Sequence, residues 1–525
     1  MKERVLVLDI GDAPYALTVA RSLGSSGYCV DYGIPLSKGP MELFSKFCHR
    51  FLVYPDPSYA KVDFQVFLYE RSRIYDYIIP TMEKTMLAAA EIKEKIESMG
   101  PKVLCPDYEA LKLAVQKSSM LALARKVGLP VPKTIVTSEA PSFESIIDAL
   151  GLPFIMKCST EVDIQPGERK FLIEEYDERK FSLCFKKLSR WGPVIIQEYI
   201  RGKGIGIELL YSMKGELIAF HGHERILEQY RDGGPSIMAR TSINKRALQY
   251  AISLLNALKW KGVAMVEFKL GNDGKLYFME LNPRFWGTTL LAIASGVNFP
   301  LLLVKSCKEE TKRLIGPDRT ASFFSFESLL SGFTSTNRPS VCSLIRGFFK
   351  LSWPISIRET YCDDIVPELK KFLFYLRRHL VEPKIGFYDG LYFGPPMPVS
   401  ILKKFNISKV IDLRQDDEIK AYFDPCAQIE HIRFPIKEDS YLSPVSFVKL
   451  LNLIEREKLT SNIYIHCKKG RGRTAMVILG YMVMKGVDLQ TAYLQLLSLY
   501  PHMNLTREQR AALYDLRKYL LNKVK

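Results

Sequence analysis

The chain contains no Cys-x-x-Cys pair and no Cys/His cluster of metal-ligand spacing; its ten cysteines and seven histidines are scattered over 525 residues. That scatter argues against a disulfide framework and a zinc site, and for a reducing compartment, the cytoplasm. No apolar run is long enough to span a bilayer, since the best stretch, 290–304, is interrupted by Ser295, Asn298 and Pro300. Repeats and low-complexity tracts are absent, and Met1 leads directly into the strand-like Val5-Leu-Val-Leu-Asp9, which is not expected to be a signal peptide. Acidic residues are scarce, 57 against 74 basic, for a net charge of +17. The excess suits anionic partners: nucleotides, phosphorylated metabolites or a membrane surface. It is not gathered into a tail, and no nucleic-acid module is recognisable, so nucleic acid is not an expected partner. A hydrophobic content of 47% in a chain of this length allows three or four domains with real cores.

The most informative stretch lies near the C-terminus: Ile463-Tyr-Ile-His466-Cys467-Lys468-Lys469-Gly470-Arg471-Gly472-Arg473-Thr474. An apolar strand ends at the cysteine, a short Gly-containing loop follows, and the apolar segment 475–484 reads as a helix. Backbone N–H groups and a helix N-terminus then surround one anion, with a thiol beneath it. Such surroundings favour a thiolate, and Arg473 can hold two phosphate oxygens in a bidentate fork. The chemistry implied is phosphoryl transfer to sulfur, followed by hydrolysis. Lys468, Lys469 and Arg471 add positive charge beyond what a single phosphate needs. They suit a polyanion such as a phosphoinositide or a multiply phosphorylated small molecule, or else steer any phosphate ester.

This stretch resembles the P-loop of cysteine-dependent protein tyrosine and dual-specificity phosphatases, and 381–525 fits the resemblance. Gly390–Gly394 and Val410-Ile-Asp412-Leu-Arg414 look like its opening strands. The resemblance makes His466, Cys467, Arg473 and Thr474 catalytic, with the Thr474 hydroxyl bonded to the thiolate and 468–472 binding phosphate. It makes Asp439, in Phe434-Pro-Ile-Lys-Glu-Asp439, the acid that protonates the leaving oxygen, with Glu438 the alternative. Gln509 stands where some members carry a water-positioning glutamine, and is equally readable as a solvated helix residue. The loop is similar to that of tensin-type phosphoinositide phosphatases.

At the other end, a strand over 4–8, a helix over 16–23 and a strand over 29–32 make a βαβ opening without a full dinucleotide fingerprint. Another strand at 77–80, a helix over 83–99, a short strand at 101–106 and a helix over 107–127 continue a doubly wound unit. Two apolar strands then flank Asn272-Asp-Gly274, a strong hairpin signal. Glu267 and Glu280 are nearly equidistant from the turn, which predicts that they stand opposite each other, about 5 Å apart at Cβ. Asn282 shares the Glu280 face by the period-two rule. Two carboxylates and an amide oxygen are hard ligands suited to Mg²⁺ or Mn²⁺, and Arg284 can reach a phosphate on that metal.

This segment resembles the ATP-grasp superfamily, nearest the carbamoyl-phosphate-synthetase-like carboxylate ligases, over about 1–305. The resemblance implies ATP as cofactor, with Lys117 and Lys157 on its phosphates and Gln197, Glu198, Tyr199 and Ile200 as the adenine-reading hinge. It implies metal binding by Glu267, Glu280 and Asn282, and phosphate binding by Arg284. Two departures stand out: the loop after Lys157 is poor in glycine, and Gly204 occupies the usual place of a ribose-binding acid. His221 and His223 read as one face of a strand, polar residues near a cleft rather than metal ligands. Arg225 and Arg240 are candidate holders of an anionic substrate.

Between the two enzymes, 343–353 and 369–379 are basic and aromatic at helical spacing. They could lie on an anionic membrane surface or pack between domains. The expected architecture is α/β multidomain: a Rossmann-like pre-ATP-grasp domain (1–105), an ATP-grasp α+β domain (106–305), a basic helical connector (306–380) and a dual-specificity-phosphatase-like domain (381–525). The expected function is bifunctional: an ATP-dependent carboxylate–amine or similar ligase joined to a phosphatase, acting on small-molecule carboxylates and phosphate esters. The alternative is a phosphatase governed by an ATP-grasp module that binds nucleotide without ligating. A membrane-associated scaffold is the third reading.

Overall fold

The computed structural model describes residues 2–9, 14–35, 45–58, 60–159, 170–230, 233–308, 313–326, 328–329, 340–351, 353–357, 364, 385–418, 429–500 and 502–524. Two compact units emerge, Met1–Gly33 with Glu42–Leu52 and Phe64–Ile365, and Ile34–Met41 with Val53–Asp63 and Val366–Lys525.

The first unit opens with a five-stranded sheet in the order Arg50–Tyr54, Cys29–Pro35, Arg4–Leu8, Tyr77–Pro80, Lys102–Val103. Leu8 lies between Gly33 and Pro80 in parallel register, as expected for a doubly wound unit. Folding does gather one Cys–Asp–His group, Cys29, Asp31 and His49, whose ligand atoms lie within 4.8 Å of one another. Asp31 is already neutralised by Arg4 (3.0 Å) and Arg50 (2.9 Å), so Asp31 is a buried ion-pair hub with the exposed His49 beside it. Two long helices expected from the sequence are each broken. Glu83–Ala90 and Lys93–Glu97 are separate because the Ile92 N–H turns to Ala89 and the Gln65 amide takes the Ala88 carbonyl. Tyr108–Ala114 and Lys117–Lys126 are separate because the Lys117 N–H leaves the helix for Ser159 O, at 3.1 Å. That second break places Lys117 at the start of a helix.

A four-stranded antiparallel sheet follows, ordered Thr134–Thr137, Val194–Glu198, Phe154–Cys158, Lys170–Ile173, with helices Phe143–Leu150 and Glu178–Leu188 packed on it. The largest sheet has seven strands, ordered Leu276–Asn282, Gly262–Gly271, Gly202–Tyr211, Leu217–Tyr230, Gly233–Thr241, Ser322–Phe324, Ile355–Ile357. Its last two strands come from the stretch read as a connector. Asp364, buried, ties that stretch down through Arg21 at 2.8 Å and the Ser45 hydroxyl at 2.6 Å. The basic stretch 369–379 and residues 382–384 lie outside the described residues, as do 160–167 of the loop after Lys157.

The second unit holds a five-stranded sheet ordered Gly386–Tyr388, Leu391–Gly394, Asn462–His466, Ile407–Asp412, Glu430–Arg433, parallel except at its first pair. Helices Pro444–Lys458, Arg473–Met484, Leu489–Leu499 and Arg507–Val524 complete it. The Arg473–Met484 helix is apolar on every side and buried through Val483, as a central core helix must be. Among the described residues no helix is long and apolar enough to cross a membrane.

Candidate active sites

The first site is assembled on four neighbouring strands of the seven-stranded sheet. Glu267 pairs with Glu280 in the ladder, and Asn282, two residues on, lies opposite Met265. The Asn282 amide donates to Glu267 Oε1 at 3.0 Å, so its own carbonyl oxygen completes a set of three oxygen donors. Two carboxylates this close repel, and the structure supplies cations against them. Arg225 reaches Glu267 at 2.6 Å and Lys117 reaches Glu280 at 3.3 Å. Burial alone would raise the Glu280 carboxyl, but Lys117, Lys157 and Arg225 hold it down at about 2. Glu267 goes the other way: burial and the adjacent Glu280 charge raise it against the pull of Arg225. This hard, anionic donor set fits Mg²⁺ or Mn²⁺.

Arg225 gets there by lying across the neighbouring strand at Gly204. A Cβ at that position would come within 2.8 Å of Arg225 Cδ. The missing acid at position 204 therefore has a steric reason. Arg225 also binds Glu228 at 3.0 Å.

Of the residues expected on the nucleotide side, Lys117 and Lys157 face Glu280. Lys157 is buried and donates to Gln197 Oε1 at 2.9 Å, and Gln197 in turn donates to Thr134 at 2.8 Å. Gln197 is thus a buried partner of Lys157. At the hinge, the Glu198 N–H bonds Lys133 O and the Tyr199 N–H bonds Pro153 O. Ile200 O accepts from Lys269, whose ammonium lies 5.1 Å from the Tyr199 ring centre.

Two arginine expectations meet the structure differently. Arg284, expected on a phosphate, is held in this structure by Glu83 at 2.6 Å and lies 5.2 Å from the Tyr15 ring, with the Glu280 charge also felt at its guanidinium. Arg225 and Arg240 do not converge on one substrate. Arg240 pairs in the ladder with Glu224 and contacts its carboxylate at 3.5 Å, and successive residues of a strand face opposite ways. Arg240 therefore lies on the face away from Arg225.

One buried cluster went unread. Glu208, fully buried, binds His221 at 3.0 Å and His223 on the adjacent strand. Burial opposes its ionisation, but the two imidazoles carry it to about 2. The histidines are thus occupied by a carboxylate inside the sheet. The signal was present: a lone acid in Ile205-Gly-Ile-Glu208-Leu-Leu needs a cationic partner.

The second site sits at the end of the Asn462–His466 strand. Cys467 is buried at the strand end, and the loop closes tightly on Gly394, whose carbonyl carbon would lie 2.3 Å from a Cβ at Gly470. Gly472 caps the Arg473–Met484 helix. Arg473 is gripped by both Glu418 oxygens (2.6 and 2.9 Å) and by Ile436 O at 2.8 Å. Glu418 is the second residue missed; its charge partner holds its carboxyl below the usual range. The Thr474 hydroxyl is buried with no hydrogen-bond partner, which fits a contact made when the thiol ionises. His466 is buried, 3.8 Å from Asp412, and burial pushes its imidazole down to about 4.

Lys468 leans toward Glu418 at 3.9 Å and remains half exposed, Lys469 is exposed, and Arg471 is half-buried, its carbonyl accepting from the Asn504 N–H. Asp439 adopts φ 55°, the left-handed region, on an exposed turn. The neighbouring Glu438 charge is felt at Arg473. Gln509 is not a solvated helix residue: it is buried against Gly472 and accepts from the Thr506 N–H at 3.0 Å.

Comparison with known proteins gives two matches along the chain. Residues 190–323 match the family described as ATP-grasp in the biosynthetic pathway with Ter operon. Residues 391–519 match the dual specificity phosphatase catalytic domain. The carbamoyl phosphate synthase large chain of Methanospirillum hungatei is 23% identical over 224 residues, covering 41% of this chain and 21% of that one. The D-alanine–D-alanine ligase of Desulfotalea psychrophila is 26% identical over 219 residues, covering 36% and 64%. The chain thus spans about a fifth of the first relative and less than two thirds of the second. Among solved structures, the biotin carboxylase–β-γ-ATP complex of Campylobacter jejuni superposes with a TM-score of 0.51 at 16% identity, over 61% of this chain and 75% of that one. That likeness is one of fold.

Proposed function

We propose that this chain, which joins an ATP-grasp module to a dual specificity phosphatase catalytic domain, is a bifunctional enzyme. One half activates a carboxylate with ATP for attack by an amine or similar nucleophile. The other removes phosphate from a monoester, and a polyanionic ester suits its basic loop. The observation that carries the reading is the ladder pairing of Glu267 with Glu280 beside Asn282, with Lys117 and Lys157 turned to the same spot. A divalent cation held by Glu267, Glu280 and Asn282 would supply charge neutralisation for the transferring phosphoryl group. The chain's own part is to place Lys117 and Lys157 against the nucleotide phosphates and to keep Glu280 ionised. In this reading Arg284 holds its position through Glu83 and reaches the transferred phosphate only by exchanging that partner.

In the phosphatase, the Cys467 thiolate attacks phosphorus while Arg473, set by Glu418, holds two equatorial oxygens. The P–O bond to the leaving group breaks, and Glu438 or Asp439 gives that oxygen a proton. Water then cleaves the S–P bond, returning thiolate and inorganic phosphate, with Gln509 placed beside the loop to orient it. Covalent linkage of two such activities suits consecutive steps on one molecule: ligation to a phosphorylated precursor, then removal of the phosphate.

One observation favours a second reading, a nucleotide-binding module that does not ligate. Arg225 already neutralises Glu267, one of the proposed metal carboxylates. The test is single-turnover ADP formation with Mg²⁺ across a panel of acids and amines, beside phosphate release from phosphoinositides, inositol phosphates, sugar phosphates and phosphopeptides. Ligase function predicts ADP that depends on both acid and nucleophile. ATP binding without any such dependence would establish the second reading.

A further inference from the structure

Helix Val341–Phe348 and the turn after it present two apolar faces, of which the described residues cover one. The inner face is Leu344, Gly347 and Leu351. Leu344 and Leu351 pack on the cluster of Leu227, Ile237, Met238 and Phe324. At Gly347 the approach is so close that a Cβ would lie 2.7 Å from Met238 Sδ. The outer face is Ile345, Phe348, Phe349 and Trp353, with Phe349 87% and Trp353 83% exposed. Phe326 and Phe348 flank Phe324, with ring centres 4.7 and 5.5 Å from its own, and extend the patch. Two cations, Arg346 and Lys350, are exposed among these rings, and no acid occurs from Ser340 to Ile357. An exposed apolar patch marks an interaction site.

We propose that this outer face docks on an anionic lipid membrane. Aromatic rings sit at headgroup level, and Arg346 and Lys350 lie at the depth of the lipid phosphates. The charge pattern selects this occupant over a second copy of the chain. A two-fold contact would press Arg346 and Lys350 against their own duplicates, with no acid on the face to pair them. The chain's net charge of +17 adds long-range attraction to the same surface. The membrane would be touched, not crossed.

The test is co-sedimentation of the full chain with vesicles of phosphatidylcholine alone and of phosphatidylcholine with phosphatidylserine. The expected result is binding to the anionic vesicles that weakens as salt is raised. Phe349→Ser with Trp353→Ser, both solvent-facing, should abolish it while leaving the thermal midpoint unchanged. Arg346→Gln with Lys350→Gln should weaken it roughly 30-fold, the value of two surface cations. Failure of the wild-type chain to sediment would overturn the proposal, as would undiminished binding by the aromatic variant. A wild-type dimer in sedimentation velocity that the aromatic variant turns into a monomer would assign the face to a second copy instead.

Discussion

The two candidate sites solve one electrostatic problem with opposite signs. In the ATP-grasp module, two carboxylates are forced together and Arg225 and Lys117 stand against them. In the phosphatase, a cationic loop is gathered around Arg473, and Glu418 stands against it. A buried charge without a partner is costly enough to prevent folding, so each site carries a group opposite in sign to the one it needs and equal in sign to its ligand. The two stand-ins differ in attachment. Arg225 is a single long side chain laid across Gly204 and held also by Glu228 and the Gly234 carbonyl, and an incoming cation would compete with it for Glu267. Glu418 grips a guanidinium that two carbonyls, Leu413 O and Ile436 O, also hold. The first competes with its ligand; the second positions the residue that meets the ligand.

The sharpest division between the halves is chemical. Cys467→Ser removes the nucleophile and should cut phosphate release by at least about 10⁴-fold while leaving acid-dependent ADP formation intact, read side by side on one preparation. Glu280→Gln should do the reverse. ADP formation falls roughly 10²- to 10³-fold, the scale for losing one preorganised electrostatic group, with phosphatase activity unchanged. Loss of both activities in either variant would mean that the halves do not act independently.

Acid should separate the units next. The His466 imidazole lies at about 4 against an ordinary 6.5. Between those values the unfolded chain binds a proton that the folded one refuses, so stability falls as pH drops from about 6.5 to 4, by up to about 3 kcal/mol. Glu208 and Glu280 lie at about 2 against 4.5, so their stabilisation is fully present above 4.5 and is lost between 4.5 and 2. Hydrogen exchange followed across this range should show peptides of 385–524 losing protection at a higher pH than those of 202–282. The opposite order would reverse the assignment of the acid-labile group.

The smallest effects distinguish the stand-ins themselves. Arg225→Gln should tighten Mn²⁺ binding about tenfold, one factor of 1.4 kcal/mol, as seen by titration calorimetry. Glu418→Gln should lower kcat/KM for phosphate release about tenfold without tightening phosphate binding. Tighter phosphate binding in that variant would make Glu418 a competitor like Arg225.

How much of this was legible depended on distance along the chain. The Asn272-Asp-Gly274 turn fixes the register of its two strands, so Glu267, Glu280 and Asn282 could be placed from the sequence, and the structure pairs them so. The Cys467 loop was legible for the same reason: strand, cysteine, glycines, arginine and helix follow within a dozen residues. The helices expected over 83–99 and 107–127 failed where Gln65 and Ser159, neither of them local, took over hydrogen bonds at the breaks. The Glu83 partner of Arg284, 201 residues away, could not be read from its neighbours in the chain.

By itself, then, the sequence determined two candidate constellations whose members are joined by one turn or one loop, because local backbone geometry decides where such side chains point. The tertiary structure alone decided what neutralises them: Arg225 across Gly204 against Glu267, and Glu418 against Arg473, 55 residues away. Those partners meet only when strands distant in sequence are laid side by side. Which opposite charge reaches a buried group is set by packing, and hydropathy and spacing do not encode it.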